Sequence, residues 1–190
     1  MADELSPLAA AISGDLTAAG IEHVLTGALA LAVYGHARNT HDIDIVVLVP
    51  SIRLPLVFEI ARRHGFEGED RDVITQIRAK SFGQMKRGSV TLDVIVPVLP
   101  YHERIVKRAR RIEIAGHVVP LVMAEDLFVI KALWHRPKDV ADLQVLARME
   151  ALDGAYIRET LDSLVPAGDP VHEEVGRLLG GDPTTTVQPS

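Results

Sequence analysis

The 190-residue chain is 47% hydrophobic and 24% charged with a formal net charge of -6, which suits a globular α/β protein and excludes a general nucleic-acid binder. It has no cysteine, so disulfides and thiolate metal sites are excluded, and at 4% aromatic residues base stacking is not its main binding mode. No apolar run approaches the roughly 20 residues of a membrane span, and the acidic start Met1-Ala2-Asp3-Glu4 lacks the basic region of a signal peptide, so a cytoplasmic protein with no membrane partner is expected.

Ser6 as N-cap and Pro7 at the first helical position predict a helix over 6–19, ended by Gly20. Ile21 to Leu25 reads as a strand, Thr26-Gly27-Ala28 as a turn, and Leu29 to Tyr34 as a helix that stops at Gly35. Thr40 to Val49 is a strand closed by Pro50, and Ser51 can cap a helix that runs to His64-Gly65. Short strands are expected near Val73–Ile77 and Lys80–Phe82, followed by a strand from Val90 to Val96. Tyr101 to Lys107 reads as a short helix, and residues 112–115 and 118–121 as a hairpin around Gly116-His117. Helices follow over 124–134, 139–149, 155–164 and 171–179. This order predicts a mixed sheet flanked by helices over 1–122, a helical C-terminal part over 123–180 packed on that core, and a disordered tail over 181–190.

The chemistry concentrates in Thr40-His41-Asp42-Ile43-Asp44-Ile45-Val46. Side chains alternate along a strand, so Asp42 and Asp44 share one face while Ile43 and Ile45 face a core. Two carboxylates on one face repel each other and lose hydration unless a cation lies between them, and a pair of divalent ions is the natural candidate. Asp93, inside the apolar strand Val90–Val96, is a third carboxylate that a neighbouring strand would bring alongside. Three carboxylates suit two magnesium ions about 4 Å apart, with manganese as the alternative. The bland reading of a lone strand aspartate is a solvated edge or a turn partner. Upstream, Gly27 opens a helix after a strand, a ready anion site to which Thr26 could add a hydroxyl. Arg38 could reach a triphosphate oxygen or be an exposed loop residue, and His41, on the other side of the strand from Asp42, reads as structural.

The Thr26-Gly27-Ala28 turn, the short helix after it, Arg38-Asn39-Thr40 and the Asp42-Ile43-Asp44 strand, with Asp93 later, resemble the nucleotidyltransferase superfamily related to DNA polymerase beta. The resemblance implies a metal-dependent enzyme that moves a nucleoside monophosphate from an NTP to an acceptor hydroxyl. Asp42, Asp44 and Asp93 would be the metal ligands, and Thr26, Gly27, Ala28 and Arg38 the nucleotide contacts. Ala28 departs from the family, which more often has Ser or Gly there; the missing hydroxyl removes a contact worth roughly 1 kcal/mol.

Further on, Leu127 to Trp134 is apolar nearly all round except for Lys131, which as a buried ammonium needs a partner. Asp139 and Asp142, three residues apart, share a helix face, so a Lys131–Asp142 pair or Lys131 on a triphosphate would satisfy the charge. Alternatively, both aspartates merely favour a helix N-terminus. Lys131 and then Arg136-Pro137-Lys138-Asp139 with Asp142-Leu143 resemble the small AbiEii/AbiGii toxin-type branch, and that resemblance implies that Lys131 and Asp142 are active-site residues and that a cognate antitoxin exists as a partner. The acceptor stays open between tRNA, a protein and a small molecule. Arg104 to Arg111, with five basic residues in eight positions, could grip a polyanion or be a solvated basic face. The competing function is a nucleotide-binding regulatory or antitoxin-like module without turnover, to which the Ala28 substitution leans.

Overall fold

The computed structural model describes residues 2–97 and 99–180; the tail expected over 181–190 lies outside them. The chain divides into two units, Met1–Met123 and Ala124–Ser190. In the first unit, α1 (Ala2–Ala18), β1 (Glu22–Thr26), α2 (Gly27–Val33) and β2 (Asp42–Leu48) are followed by α3 (Leu54–Arg63), α4 (Asp70–Lys80), β3 (Phe82–Arg87) and β4 (Val90–Ile95). The unit closes with α5 (Pro100–Arg108), β5 (Arg110–Ile114) and β6 (His117–Leu121). The six strands form one mixed sheet in the order β3-β4-β2-β1-β6-β5. The β2–β4 and β1–β6 pairs are parallel and the other three antiparallel.

Alternation along the strands builds the core on one face of this sheet. Leu25, Ile45 and Val94 lie in register across β1, β2 and β4, and Ile43, Leu92 and Met85 across β2, β4 and β3. All six are at most 2% exposed, and each contributes roughly 1.5–3 kcal/mol by leaving water. A one-residue slip of β2 would turn these isoleucines out and drive two carboxylates into the core, so the register is strongly specified. The β5–β6 hairpin turns at Ala115 and Gly116, both at positive φ (49° and 78°), the backbone that a two-residue type I′ connection requires.

Several expected elements differ. The first helix starts before Ser6 and carries Pro7 inside it. Its buried stripe Leu5, Ala9, Ile12, Leu16 has helical spacing and extends past the proline, so burial of Leu5 outweighs the start signal at Ser6 and Pro7. Residues 73–77 are not a strand but the middle of α4. Val73 and Ile77, one turn apart, are its buried residues, Asp70 and Asp72 occupy the first turn, and Arg78 and Lys80 the last, as the helix dipole favours. The adjoining strand correspondingly runs over 82–87 rather than 80–82. Before α3, Ser51–Arg53 forms a 3-10 turn instead of Ser51 capping an α-helix. Pro55 has no N–H to give back to Ser51, so the chain enters through the tighter Arg53-to-Pro50 bond of 2.8 Å.

The second unit contains α6 (Ala124–Trp134), α7 (Pro137–Leu146), α8 (Gly154–Leu164) and α9 (Pro170–Leu179). α7 begins at Pro137, two residues earlier than expected, because proline suits the first helical position. α6 touches α7, α8 and α9, and Leu127, Phe128, Val129 and Ala132 are buried around it, as its lack of a polar face requires. Asp153 and Asp169 cap α8 and α9, each accepting from backbone N–H groups at 3.0 Å. Among the described residues no helix is long and apolar enough to cross a membrane.

Candidate active site

The strand pairing assembles a polar row on the face opposite the aliphatic core. Thr26 on β1 is in register with Asp44 on β2, Asp44 with Asp93 on β4, and Asp93 with Gln84 on β3. Residues in register share a face, so these four side chains stand in line across four strands spaced about 4.8 Å apart. A second row on the same face, one pleat away, contains Asp42, Thr91 and Lys86. Asp42, Asp44 and Asp93 are half-buried. The Gln84 side-chain amide donates to Asp93 Oδ1 at 2.9 Å, and the Asp42 N–H donates to Thr40 Oγ1 at 3.1 Å.

Gly27 holds the row's geometry. Its φ is +69°, and a Cβ built there would lie 1.9 Å from Asp44 Oδ2. The absent side chain makes room for the Asp44 carboxylate itself, a packing reason for the glycine that spacing alone does not reveal. Thr26 is 4% exposed, and its buried Oγ1 has no hydrogen-bond partner, nor does it cap the seven-residue α2. Ala28 is buried. Arg38 is half-buried in the irregular stretch before β2.

The row is a candidate site for a group of divalent ions. Among the described residues no three His, Asp or Glu side chains converge on a ready-made ion site. The pairing brings Asp44 and Asp93 onto neighbouring strands, while carboxylates that face one another repel until a cation joins them. The donor set is nonetheless of the right chemistry: carboxylate oxygens are the hard ligands that magnesium and manganese prefer. The orphaned Thr26 hydroxyl beside Asp44 is a polar atom that a bound phosphate or water would satisfy. The residues therefore fit the group.

In the helical unit, α6 and α7 bring Lys131, Asp139 and Asp142 together. Lys131 Nζ lies 2.5 Å from Asp142 Oδ2 and 3.5 Å from Asp139 Oδ1, with all three residues at most 4% exposed. Asp139 also accepts from Arg136 Nε at 2.7 Å and from the Arg136 backbone N–H at 3.1 Å. Arg136 in turn lies 4.7 Å from the Trp134 ring centroid. Burial pushes the Asp139 carboxyl up, but the Arg136 hydrogen bonds and the Arg136 and Lys131 charges outweigh it and hold the carboxyl below the ordinary value of 3.8. The aspartates thus do more than favour a helix N-terminus. Lys131 has its aspartate partner, and Asp139, third in α7, also reaches back to the N-cap N–H.

The basic stretch Arg104–Arg111 lies on the end of α5 and the start of β5. Arg104 stacks over Tyr101 at 5.0 Å, and Lys107 approaches Glu103 at 3.9 Å, contacts that suit a solvated face. Sequence reasoning missed Gln84. Its signal is the alternation Phe82-Gly83-Gln84-Met85, which puts it on the polar face once β3 is correctly placed.

The family model described as Nucleotidyl transferase of unknown function (DUF2204) matches residues 7–165. The chain belongs to this family. No curated protein matches the sequence. Among solved structures, the antibiotic-resistance factor ANT(2″)-Ia in solution is similar over 95% of this chain and 91% of its own, at TM-score 0.55 and 16% identity. The same factor in complex with adenylyl-2″-tobramycin aligns at TM-score 0.51 and 17% identity, over 93% of this chain and 95% of its own. An antigenic nucleotidyltransferase-like protein from Paracoccidioides brasiliensis aligns at TM-score 0.51 and 15% identity, over 94% and 92% of the two chains. These likenesses show a nucleotidyltransferase-like fold.

Two outcomes follow for this family member. Gly27→Ala forces a Cβ into the Asp44 carboxylate at a left-handed backbone position and should cost about 1–3 kcal/mol, read as a lower urea midpoint. For Asp139 the ionised form favours the fold, so its contribution is complete above the unfolded value and is lost as pH falls through the lower folded value. Asp139→Asn should be less stable than wild type at pH 7 by about 3 kcal/mol. The gap should close below pH 3.8, as measured by urea unfolding from pH 7 to pH 2.

Proposed function

We propose that the protein is a metal-dependent nucleotidyltransferase that moves a nucleoside monophosphate from an NTP to an acceptor hydroxyl. The observation that carries this reading is the register Thr26–Asp44–Asp93, with Asp42 one pleat away on the same face, in a chain of the nucleotidyl transferase family. Asp42 and Asp44 would hold two magnesium or manganese ions and Asp93 would share one of them. Such ions, when bound, neutralise triphosphate charge and acidify the acceptor hydroxyl. Thr26 through its unsatisfied hydroxyl, Gly27 and Ala28 through their backbone, and Arg38 through its guanidinium would contact the nucleotide. With Gln84 on Oδ1, Asp93 would take the hydroxyl proton at Oδ2. The acceptor oxygen forms its bond to the α-phosphorus as the bond to the β-phosphate breaks, and pyrophosphate leaves.

Lys131 and Asp142 are proposed as active-site residues on their resemblance to the toxin-type branch, and a toxin role beside a cognate antitoxin rests on that resemblance alone. The acceptor is proposed to be a small molecule, a tRNA or a protein. Aminoglycosides belong in the first screen because ANT(2″)-Ia, which shares the fold, has been solved with adenylyl-2″-tobramycin.

The transferase reading is tested by pyrophosphate release from each NTP with magnesium and pools of aminoglycosides, tRNA and protein. Wild type should turn over, and Asp44→Asn should lose at least about 100-fold, comparable to removal of a major electrostatic group. Protection by NTP against melting without any release would replace the enzyme by a binding module. The role of the buried pair is read from Lys131→Met combined with Asp142→Leu. Exchanging a whole buried ion pair for apolar residues is often close to neutral for stability, so the melting temperature should hold while turnover falls at least tenfold; unchanged turnover would make the pair purely structural.

A further inference from the structure

Gln84 lies next to the carboxylates, yet neither the resemblance nor the family match assigns it a role. It sits on β3, one of the two edge strands of the sheet, in register with Asp93. The neighbouring Ser81–Val96 pair exchanges a backbone hydrogen bond of 2.9 Å, from Val96 N–H to Ser81. Hydrogen-bonded pairs alternate along an antiparallel ladder, so Gln84–Asp93 is a non-hydrogen-bonded pair, the kind that brings side chains closest. The Gln84 N–H therefore points away from β4, and Gln76 Oε1 on α4 accepts it at 3.1 Å. α4 comes near enough because residue 83 is glycine: a Cβ there would lie 2.6 Å from Val73 Cγ1 and 2.7 Å from Val73 O. Backbone and helix thus fix Gln84 from behind, and its side-chain amide meets Asp93 Oδ1 at 2.9 Å.

We infer that Gln84 is a positioning residue for the proposed metal site, acting through Asp93 and touching neither ion nor substrate. Asp93 faces Asp44 across the β2–β4 pair, and two carboxylates in register disfavour each other. The Gln84 amide is a neutral donor on the far side of Asp93, so it adds no charge beside the carboxylates. The hydrogen bond also selects one orientation of the carboxylate, so less freedom is lost when an ion is bound. A glutamine suits this role where a lysine or arginine would not, because a cation here would compete with the metal for the carboxylate. Gln76 serves only to hold the β3 backbone. This inference rests on the metal-dependent reading above.

The test measures manganese affinity of the folded full-length protein by electron paramagnetic resonance, without NTP or turnover, for wild type, Gln84→Met, Gln76→Met and Asp44→Asn. Methionine keeps the length of glutamine and removes the donor. Gln84→Met should weaken manganese binding about tenfold, the lower end of what removal of a ligand's hydrogen-bond partner does. Gln76→Met should lower the melting temperature with affinity within twofold of wild type. Equal affinity of Gln84→Met and wild type, with Asp44→Asn impaired, overturns the positioning role and leaves the metal site standing. Equal loss in the Gln84 and Gln76 variants overturns it too, because both would then act through the backbone of β3. Absence of manganese binding by wild type overturns the metal-dependent reading and this inference together.

Discussion

The register of β2 between β1 and β4 is the constraint on which the rest of the first unit depends. One strand has to bury isoleucines on one face and present aspartates on the other, and the two-residue period of a strand allows both only in one alignment. The burial of Ile43 and Ile45 at no more than 1% exposure supplies the driving force that holds Asp42 and Asp44 half-buried beside their neighbours. The carboxylates contribute nothing to that drive. They are carried by the aliphatic side chains between them, so core packing and site geometry are two faces of a single strand.

The molecule treats acidic groups in two ways. In the helical unit, Asp139 and Asp142 are sealed from water and matched by Lys131 and Arg136 at hydrogen-bonding distance. A buried charge persists only with such partners. On the sheet, Asp42, Asp44 and Asp93 retain access to solvent, and the Gln84 side-chain amide donates to Asp93 Oδ1. The sealed arrangement persists without a ligand, and the open one leaves room for a ligand that comes and goes. Gly27 shows how closely the open arrangement is built, since a single methyl at that position would occupy the space of the Asp44 carboxylate.

Much of the fold was legible wherever burial is periodic along the chain. The Asp42–Leu48 strand, the Val90–Ile95 strand and the helix over Ala124–Trp134 all follow from their patterns. The stretch from Gly68 to Arg87 was not. Val73, Ile74 and Ile77 are β-branched and lie within five residues, which suggests a strand, but Val73 and Ile77 form the narrow buried stripe of a helix that rests on one sheet edge. Tertiary contact there outweighs local preference. That misplacement hid Gln84, because a residue's face cannot be read until its strand has been located.

The sequence by itself determined which residues bear the chemistry: carboxylates at 42, 44 and 93, glycine at 27, and one ammonium inside an apolar helix at 131. It did so because periodicity and charge are local properties, visible within a few residues. Only the tertiary structure decided which of them stand together. Strand order is a long-range choice, so the sequence alone could not say that β4 lies beside β2, or that β3 then sets Gln84 against Asp93. The reason Gly27 must be glycine is likewise an atom of Asp44 seventeen residues away in the chain and in contact only after the strands pair.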